Sequence, residues 1–186
     1  MTEPGEQSEG GESLRPVTIE SASRDQASRL IEIQRNCYLT SYVHPEHNIT
    51  EADILAKNAK LKAESIRELI SDPYEVWLVA KQGEEVVGFV EAKKARDGNE
   101  QRISRLFVLP EYQGKHIGHR LIQQALSKLD PNKNVVLQVN QYNESVIRFY
   151  GSFGFRDIGE GKPIKISDKT VPTRKMELER HLSVSS

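Results

Sequence analysis

The segment best equipped for chemistry is a glycine-bearing basic loop between an apolar run and a helical pattern. The apolar run is Leu106–Leu109, Pro110 interrupts it, and the loop Gln113–Gly118 leads into the helix. This order brings free backbone N–H groups and the positive end of a helix dipole to one point, which suits a phosphate or pyrophosphate. The segment therefore predicts an enzyme that handles a phosphate-bearing cofactor.

The best-known phosphate-binding loops do not describe this segment. A Walker loop needs the pattern G-x-x-x-x-G-K-S/T, and Gln113–Gly118 lacks it. The dinucleotide fingerprint needs three glycines after an early strand and an acidic residue about 20 residues later, which is not met either. Taken alone, a helix start with two glycines is as compatible with a structural turn as with a binding loop.

A wider window around the loop carries a family resemblance. The stretch Val108 to Gly118 resembles motif A of the GNAT superfamily, the acyl-CoA-dependent N-acetyltransferases. The core of that motif is Gln/Arg-x-x-Gly-x-Gly/Ala, and Gln113 and Gly118 meet its first and last positions. His116 stands where the family most often has glycine.

A second segment, about 25 residues further on, is similar to another signature of the same family. Asn143 to Phe155 follows the pattern Asn-x-x-(Ala/Ser)-x-x-(Phe/Leu)-Tyr-x-x-x-Gly-Phe, with Val146 at the usual small position. Two signatures in the right order are far more specific than either alone. The resemblance extends over roughly Leu14 to Leu178.

The resemblance implies a site for acetyl-CoA as acyl donor, built from one strand, the loop and a helix cap, with no metal. The residues it implies for cofactor binding are Leu106, Phe107, Val108, Gln113, Gly114, Lys115, His116, Ile117, Gly118, His119 and Asn143. It also implies that Tyr150 protonates the departing CoA thiolate as general acid. Packing on a helix stripe is the alternative role for Tyr150. His116 would weaken cofactor binding if its backbone needed φ above zero.

The general base is less well defined. An ammonium acceptor must lose a proton before it attacks a thioester, which calls for a carboxylate or a water relay. Glu91, on a central strand, is the catalytic candidate, and Glu100 is a second; an ordinary surface carboxylate is the alternative for both. His44 and His47 lie where the family often builds an acceptor-side lid, but their spacing of three is poor evidence for a metal site.

Composition limits the classes of protein that fit. The chain has 186 residues with 26 basic and 27 acidic ones, which argues against a nucleic-acid-binding footprint. No apolar run reaches the ~18 residues of a membrane span, and the N-terminus lacks a secretory layout, so we expect a cytoplasmic protein without a membrane partner. The single Cys37 excludes an intrachain disulfide, and its apolar neighbours favour a buried thiol over a nucleophile.

Hydrophobic periodicity and turn residues predict a mixed, mostly antiparallel sheet flanked by helices, in one α/β (α+β) domain. The expected strands are Leu14–Glu20, Val76–Ala80, Val86–Ala92, Ile103–Leu109, Val135–Val139 and Val171–Leu178. The expected helices are Ser23–Tyr38, Thr50–Ile70, Lys115–Leu129 and one that Asn143 caps, with Ser23 and Thr50 as further caps. Thr40–Asn48 is expected to be irregular, and Asp97–Asn99 to form a turn.

These observations lead to one prediction with two alternatives. A GNAT-like domain over residues 14–180, between tails at 1–13 and 181–186, transfers an acetyl group from acetyl-CoA to a primary amine in a ternary complex. We expect a small-molecule acceptor, and a homodimer is compatible with the sequence. The alternatives are a protein N-terminal or lysine acetyltransferase, and a CoA-binding sensor or scaffold without turnover.

Overall fold

The computed structural model describes residues 16–43, 48–96 and 100–180. Its helices are α1 Ala27–Tyr42, α2 Glu51–Asn58, α3 Ala63–Ile70, α4 Ile117–Ser127 and α5 Glu144–Gly151. Its strands are β1 Val17–Ser21, β2 Glu75–Gln82, β3 Glu85–Lys93, β4 Gln101–Val108, β5 Val135–Asn140, β6 Arg156–Glu160, β7 Ile164–Ile166, β8 Lys169–Val171 and β9 Thr173–Leu178.

Seven of these strands form one sheet in the order β1-β2-β3-β4-β5-β9-β6, and β7 and β8 form a separate hairpin. Neighbours in the large sheet are antiparallel except β4 and β5, which are parallel because α4 crosses between them. The predicted fold class, a mostly antiparallel mixed sheet flanked by helices, is confirmed.

Each face of the sheet carries its own apolar cluster. On one face α4 buries Leu121 and Ile122 against β2 and β3. On the other face α1 and α3 bury Ile33 and Ile66 against Trp77 and its neighbours. Strands β2 and β3 are buried along most of their length because helices cover both faces. The sheet is therefore packed between two layers of helices.

The single helix expected over Thr50–Ile70 was wrong, because the structure divides it into α2 and α3. The Asn58 side chain donates Nδ2–H to the Ile54 carbonyl (2.9 Å) at the end of α2, which competes with continued backbone pairing. The two halves also bury their apolar residues in different places. Ile54 packs with Ile166 in a third cluster, whereas Ile66 packs against the sheet.

The other predicted elements are present with shifted ends. Helix α1 runs to Tyr42, which makes the first residues of the irregular segment helical. The predicted cap Thr50 begins α2, where its N–H donates to Asp53 Oδ2 (2.9 Å). Ser23, whose N–H donates to Gln26 Oε1 (3.0 Å), begins a 3₁₀ turn at Arg24–Gln26 that leads into α1. The last predicted strand is divided into β8 and β9, because Pro172 separates them. Strands β6 and β7 were not predicted.

Some predictions fall outside the described residues. These are the two tails, the turn at 97–99 and the pair His44 and His47. The domain bounds of 14–180 stay a prediction.

Candidate active site

The sheet opens between its two parallel strands. β4 pairs with β5 only at Gln101 and Arg102, beyond which the two strands diverge. β4 stays paired with β3 as far as Val108, and β5 stays paired with β9 as far as Asn140. The wedge between them holds a cavity of about 560 Å³ lined by both strands, α1, α5 and the loop before α4. The backbone of β4 from residue 103 onward is thus hydrogen-bonded to a strand on one side only.

An irregularity in β4 lies at the point where the strands part. Glu91 faces Arg105 and Ala92 faces Ile103, so Ser104 has no partner on β3 and forms a bulge. The extra residue reverses the alternation of the strand. Ile103 consequently packs into the cluster beneath α4, whereas Phe107 packs on the α1 side.

The loop that follows β4 has a constrained backbone. A 3₁₀ turn at Pro110–Tyr112 is followed by Gln113, whose Nε2–H donates to the carbonyl of Val108 (2.9 Å). Gly114 and His116 then have positive φ angles of 74° and 58°. The side chain of Gln113 therefore fixes the loop against the end of the strand.

This loop presents unused backbone donors at the start of α4. Within the described part of the chain, the amides from Gly114 to His119 donate to no carbonyl or side chain. The first helical i to i−4 hydrogen bond of α4 runs from the Arg120 N–H to the His116 carbonyl (3.1 Å). First-turn amides of a helix lack intrahelical acceptors, and together with the helix dipole they attract an anion. The geometry supports the phosphate-binding role expected of this loop.

His116 meets the backbone condition under which it was expected to weaken cofactor binding. Its φ of 58° and ψ of 12° are left-handed, a conformation that suits glycine better than any residue with a Cβ. Its ring lies 5.7 Å from that of His119, which in turn packs edge-on against Phe149 at 4.9 Å. Both histidines line the cavity, whereas Lys115 lies over the ring of Tyr112 and does not line it.

Asn143 begins α5 and also lines the cavity. Its Oδ1 accepts from the Val146 N–H (3.2 Å) and from the Ser145 hydroxyl (2.8 Å), which is an N-terminal cap. The predicted cap is confirmed, and the side chain remains at the cavity wall. A role in cofactor contact stays a prediction.

Tyr150 is buried, with 7% of its surface exposed, and it lines the same cavity. Its hydroxyl donates to no group among the described residues, and its ring packs on Phe149 and Phe155. Burial raises the pKa of the Tyr150 hydroxyl well above its usual value, so the group carries its proton throughout the neutral range. A protonated hydroxyl at the cavity wall can donate to a departing anion.

Two tyrosines of α1 complete the wall, and sequence reasoning did not select them. The rings of Tyr38 and Tyr42 lie 4.6 Å apart, and both residues line the cavity. Burial raises the pKa of both hydroxyls, and the proximity of Tyr38 and Tyr150 contributes to the shift at Tyr42. Their spacing of four on the helix shows that they share a face, but only the fold shows that this face meets α5.

Glu91 lies outside the cavity lining. It is 1% exposed, pairs with Arg105 and lies 3.5 Å from the Lys93 ammonium. Burial raises the pKa of the Glu91 carboxyl, against the opposing effect of Arg105 and Lys93. Glu100 is also paired, with Lys175 at 2.6 Å. The catalytic role expected of Glu91 stays a prediction, and it does not follow from this placement.

Cys37 is a buried thiol, as expected. Its Sγ–H donates to the Val108 carbonyl (3.3 Å), and burial raises the pKa of the thiol to about 12. Among the described residues, no group of three or more His, Cys, Asp or Glu side chains could hold a metal ion.

The match to known proteins agrees with this geometry. The family described as "Acetyltransferase (GNAT) domain" matches residues 45–179. No curated protein sequence matches the chain significantly. In the described ranges no helix is both long and apolar enough to cross a bilayer.

Solved structures share the fold at low sequence identity. PaiA N-acetyltransferase from Thermoplasma acidophilum, in complex with coenzyme A, is 22% identical, with a TM-score of 0.68 over 86% of this chain and 98% of that chain. The ribosomal-protein-S18-alanine N-acetyltransferase from Escherichia coli is 16% identical, with a TM-score of 0.67 over 92% and 98%. YncA from Salmonella typhimurium, with its cofactor acetyl-CoA, is 18% identical, with a TM-score of 0.62 over 92% and 98%. The family match over residues 45–179 and the shared fold show that this chain belongs to the GNAT acetyltransferase family.

Proposed function

We propose that this protein transfers the acetyl group of acetyl-CoA to a primary amine of a small molecule, by direct attack in a ternary complex. One observation carries the proposal. The free amides of the loop at 113–119, the one-sided backbone of β4 and the hydroxyl of Tyr150 all border a single cavity.

The donor set of the cavity fits acetyl-CoA. The unused amides from Gly114 to His119 would hold the pyrophosphate, because backbone N–H groups at a helix start bind phosphate oxygens without a charged side chain. The edge of β4 from residue 103 to 107, which lacks a strand partner on the β5 side, would pair with the amide groups of the pantetheine arm, as a strand pairs with its neighbour. The cavity of about 560 Å³ accommodates an extended arm of this kind.

Bound acetyl-CoA supplies a thioester carbonyl that a neutral amine can attack. The new C–N bond forms as the C–S bond breaks, the nitrogen gives up one proton, and the thiolate takes one up. We propose that Tyr150 gives that proton, since its raised pKa keeps the hydroxyl protonated and the hydroxyl has no competing acceptor among the described residues.

The described residues that line the cavity include no carboxylate to accept the proton of the amine. Glu91 is paired with Arg105, so we propose that water accepts this proton and that Glu91 holds Arg105 in place. Tyr38, Tyr42 and Ile164 line the acceptor end of the cavity, and we propose that a small amine rather than a protein segment binds there. We also propose a cytoplasmic location, with which one buried and unpaired cysteine is compatible.

The proposal is tested by thiol release from acetyl-CoA with a panel of primary amines, for the wild type and for Tyr150→Phe. We expect kcat of the variant to fall by about 10²- to 10⁴-fold with CoA binding retained, because the lost hydroxyl acts only in proton transfer. Tyr74→Phe is the matched control, since Tyr74 is 45% exposed and does not line the cavity, and its activity should equal the wild type.

Two results would contradict the proposal. Tight CoA binding by the wild type without amine-dependent thiol release would instead indicate a sensor or scaffold module. Donor binding itself is measured by thermal or urea unfolding, since CoA at ~100-fold over its dissociation constant should add ~2.7 kcal/mol to the free energy of unfolding. The absence of any stabilisation at such concentrations would overturn the donor site.

A further inference from the structure

Building on the proposed function, we propose that the acceptor amine carries a carboxylate and that the guanidinium of Arg105 binds this carboxylate. Arg105 then determines which amines are used, and a polyamine or a simple alkylamine is a poor acceptor.

Arg105 lies at the end of the cavity away from the loop at 113–119, which we call the donor loop. It follows the bulge at Ser104, so its side chain lies on the α1 side of the sheet with Glu91. At about 3.3 Å per strand residue, it is roughly 13 Å along β4 from Leu109, where the strand gives way to the donor loop. Tyr38, Tyr42 and Tyr150 line the same cavity as Arg105, and the rings of Tyr38 and Tyr42 lie 4.6 Å apart.

The Arg105 guanidinium is held by Glu91 and still has N–H groups that donate to no described residue. Nη1 donates to a carboxylate oxygen of Glu91, and the guanidinium lies 5.5 Å from the centre of the Trp77 ring. Within the described residues, Nε and Nη2 donate to nothing. The Arg105 side chain is 24% exposed, and the residue lines the cavity. A planar fork with free N–H groups matches the two oxygens of a carboxylate.

The charges around this end of the cavity select against a second cation. Behind Arg105, Glu91 lies beside Lys93, and Lys93 pairs with Glu75 at 2.7 Å, so two acids and two bases balance one another. No acidic side chain among the described residues lines the cavity. Among the described residues, an acceptor with a second ammonium group would therefore meet a cation and no anion, whereas a carboxylate would meet the free part of the guanidinium.

The test compares three series of amines at saturating acetyl-CoA. They are ω-amino acids with two to five methylenes between the amine and the carboxylate, the diamines of the same length, and the corresponding monoamines. We expect kcat/KM to be highest for one member of the amino-acid series, and that member also reports the distance from the reacting nitrogen to Arg105. A charge-assisted pair of this kind should favour it by about 10- to 100-fold over the monoamine of equal length.

Three variants assign the preference to Arg105. Arg105→Gln should reduce the ratio of kcat/KM for the amino acid to that for the monoamine by about 10- to 100-fold. The double variant Arg105→Gln/Glu91→Gln should do the same without leaving the buried Glu91 carboxylate with Lys93, 3.5 Å away, as its remaining partner, which guards against misfolding. Arg102→Gln is the matched control, because Arg102 is exposed on the same strand and does not line the cavity; its ratio should equal the wild type.

Equal or better use of diamines or monoamines by the wild type would overturn the inference, as would a ratio that the Arg105 variants leave unchanged. If no amine supports thiol release, the proposed function has failed, and calorimetry decides the inference separately. The ω-amino acids are then titrated into the protein saturated with CoA. Binding that is lost in both Arg105 variants supports the inference, and the absence of binding overturns it.

Discussion

Two glycines of this chain allow the backbone of the donor loop to be tested apart from side-chain packing. A methyl group added to Gly114 or to Gly151 would meet no atom within 4 Å. The two residues differ in backbone conformation. Gly114 has a φ of 74°, whereas Gly151 is the last residue of α5 and is not left-handed. Replacement of each by alanine therefore measures conformation alone.

The expected effects have opposite signs. At Gly114, alanine destabilises the folded state by about 1–2 kcal/mol, because a residue with a Cβ is strained in the left-handed conformation. It regains about 0.4–1 kcal/mol because the unfolded chain loses freedom, so the free energy of unfolding should fall by about 1 kcal/mol. At Gly151 only the gain remains, and the free energy of unfolding should rise by about 0.4–1 kcal/mol.

Urea unfolding at equilibrium is the assay. The two variants should differ by about 1.5–2 kcal/mol, which corresponds to a difference of about 0.75–1 M in the midpoint if the slope is near 2 kcal/mol per M. The slope itself should not change. A Gly114→Ala variant as stable as the wild type would refute the left-handed geometry of the loop, and with it the alignment of amides on which the donor site depends.

Two further predictions concern neighbouring groups. His116→Gly should be about 1 kcal/mol more stable than His116→Ala in the same assay, because only alanine keeps a Cβ on the left-handed backbone; equal stability of the two variants would argue against that backbone. Burial raises the pKa of the Cys37 thiol to about 12, so that roughly one thiol in 10,000 should be ionised at about pH 8 in the folded state. We therefore expect Cys37 to stay unmodified by iodoacetamide in the native protein at that pH and to react fully in concentrated urea. Mass spectrometry gives the modified fraction, and rapid native labelling would contradict the burial.

The fold was predictable where local pattern and burial coincide. The apolar runs of β2 to β5 and the amphipathic pattern of α4 place these elements within a few residues of their observed ends. The division of residues 50–70 was not predictable in the same way. Ile54 and Ile66 belong to one helical pattern, and only the tertiary structure shows that they are buried in different clusters.

The donor side of the site was accessible to sequence reasoning because it depends on contiguous residues. The loop at 113–118, Asn143 and Tyr150 lie within two short signatures. All of these residues except Lys115 line the cavity. The acceptor side was not accessible. It brings α1 against β4, and the bulge at Ser104 moves Arg105 to the face opposite that of Ile103, although strand alternation would place the two together.

The hairpin β7–β8 and helix α2 have a consequence for how the two halves of the site respond to thermal motion. The hairpin is not hydrogen-bonded to the seven-stranded sheet, and its buried residues Ile166 and Val171 pack with Ile54 of α2 in a cluster of their own. An isolated two-stranded hairpin is marginal, so this unit depends on that cluster and on the bond from Lys57 Nζ to the Lys165 carbonyl (2.9 Å). We expect such a unit to open locally at a lower free energy than the whole domain and to exchange its amide protons faster. For the proposed acceptor site, we therefore expect the wall that contains Ile164 to adapt to amines of different size, while the loop at 113–119, which leads into α4 of the main core, keeps its shape.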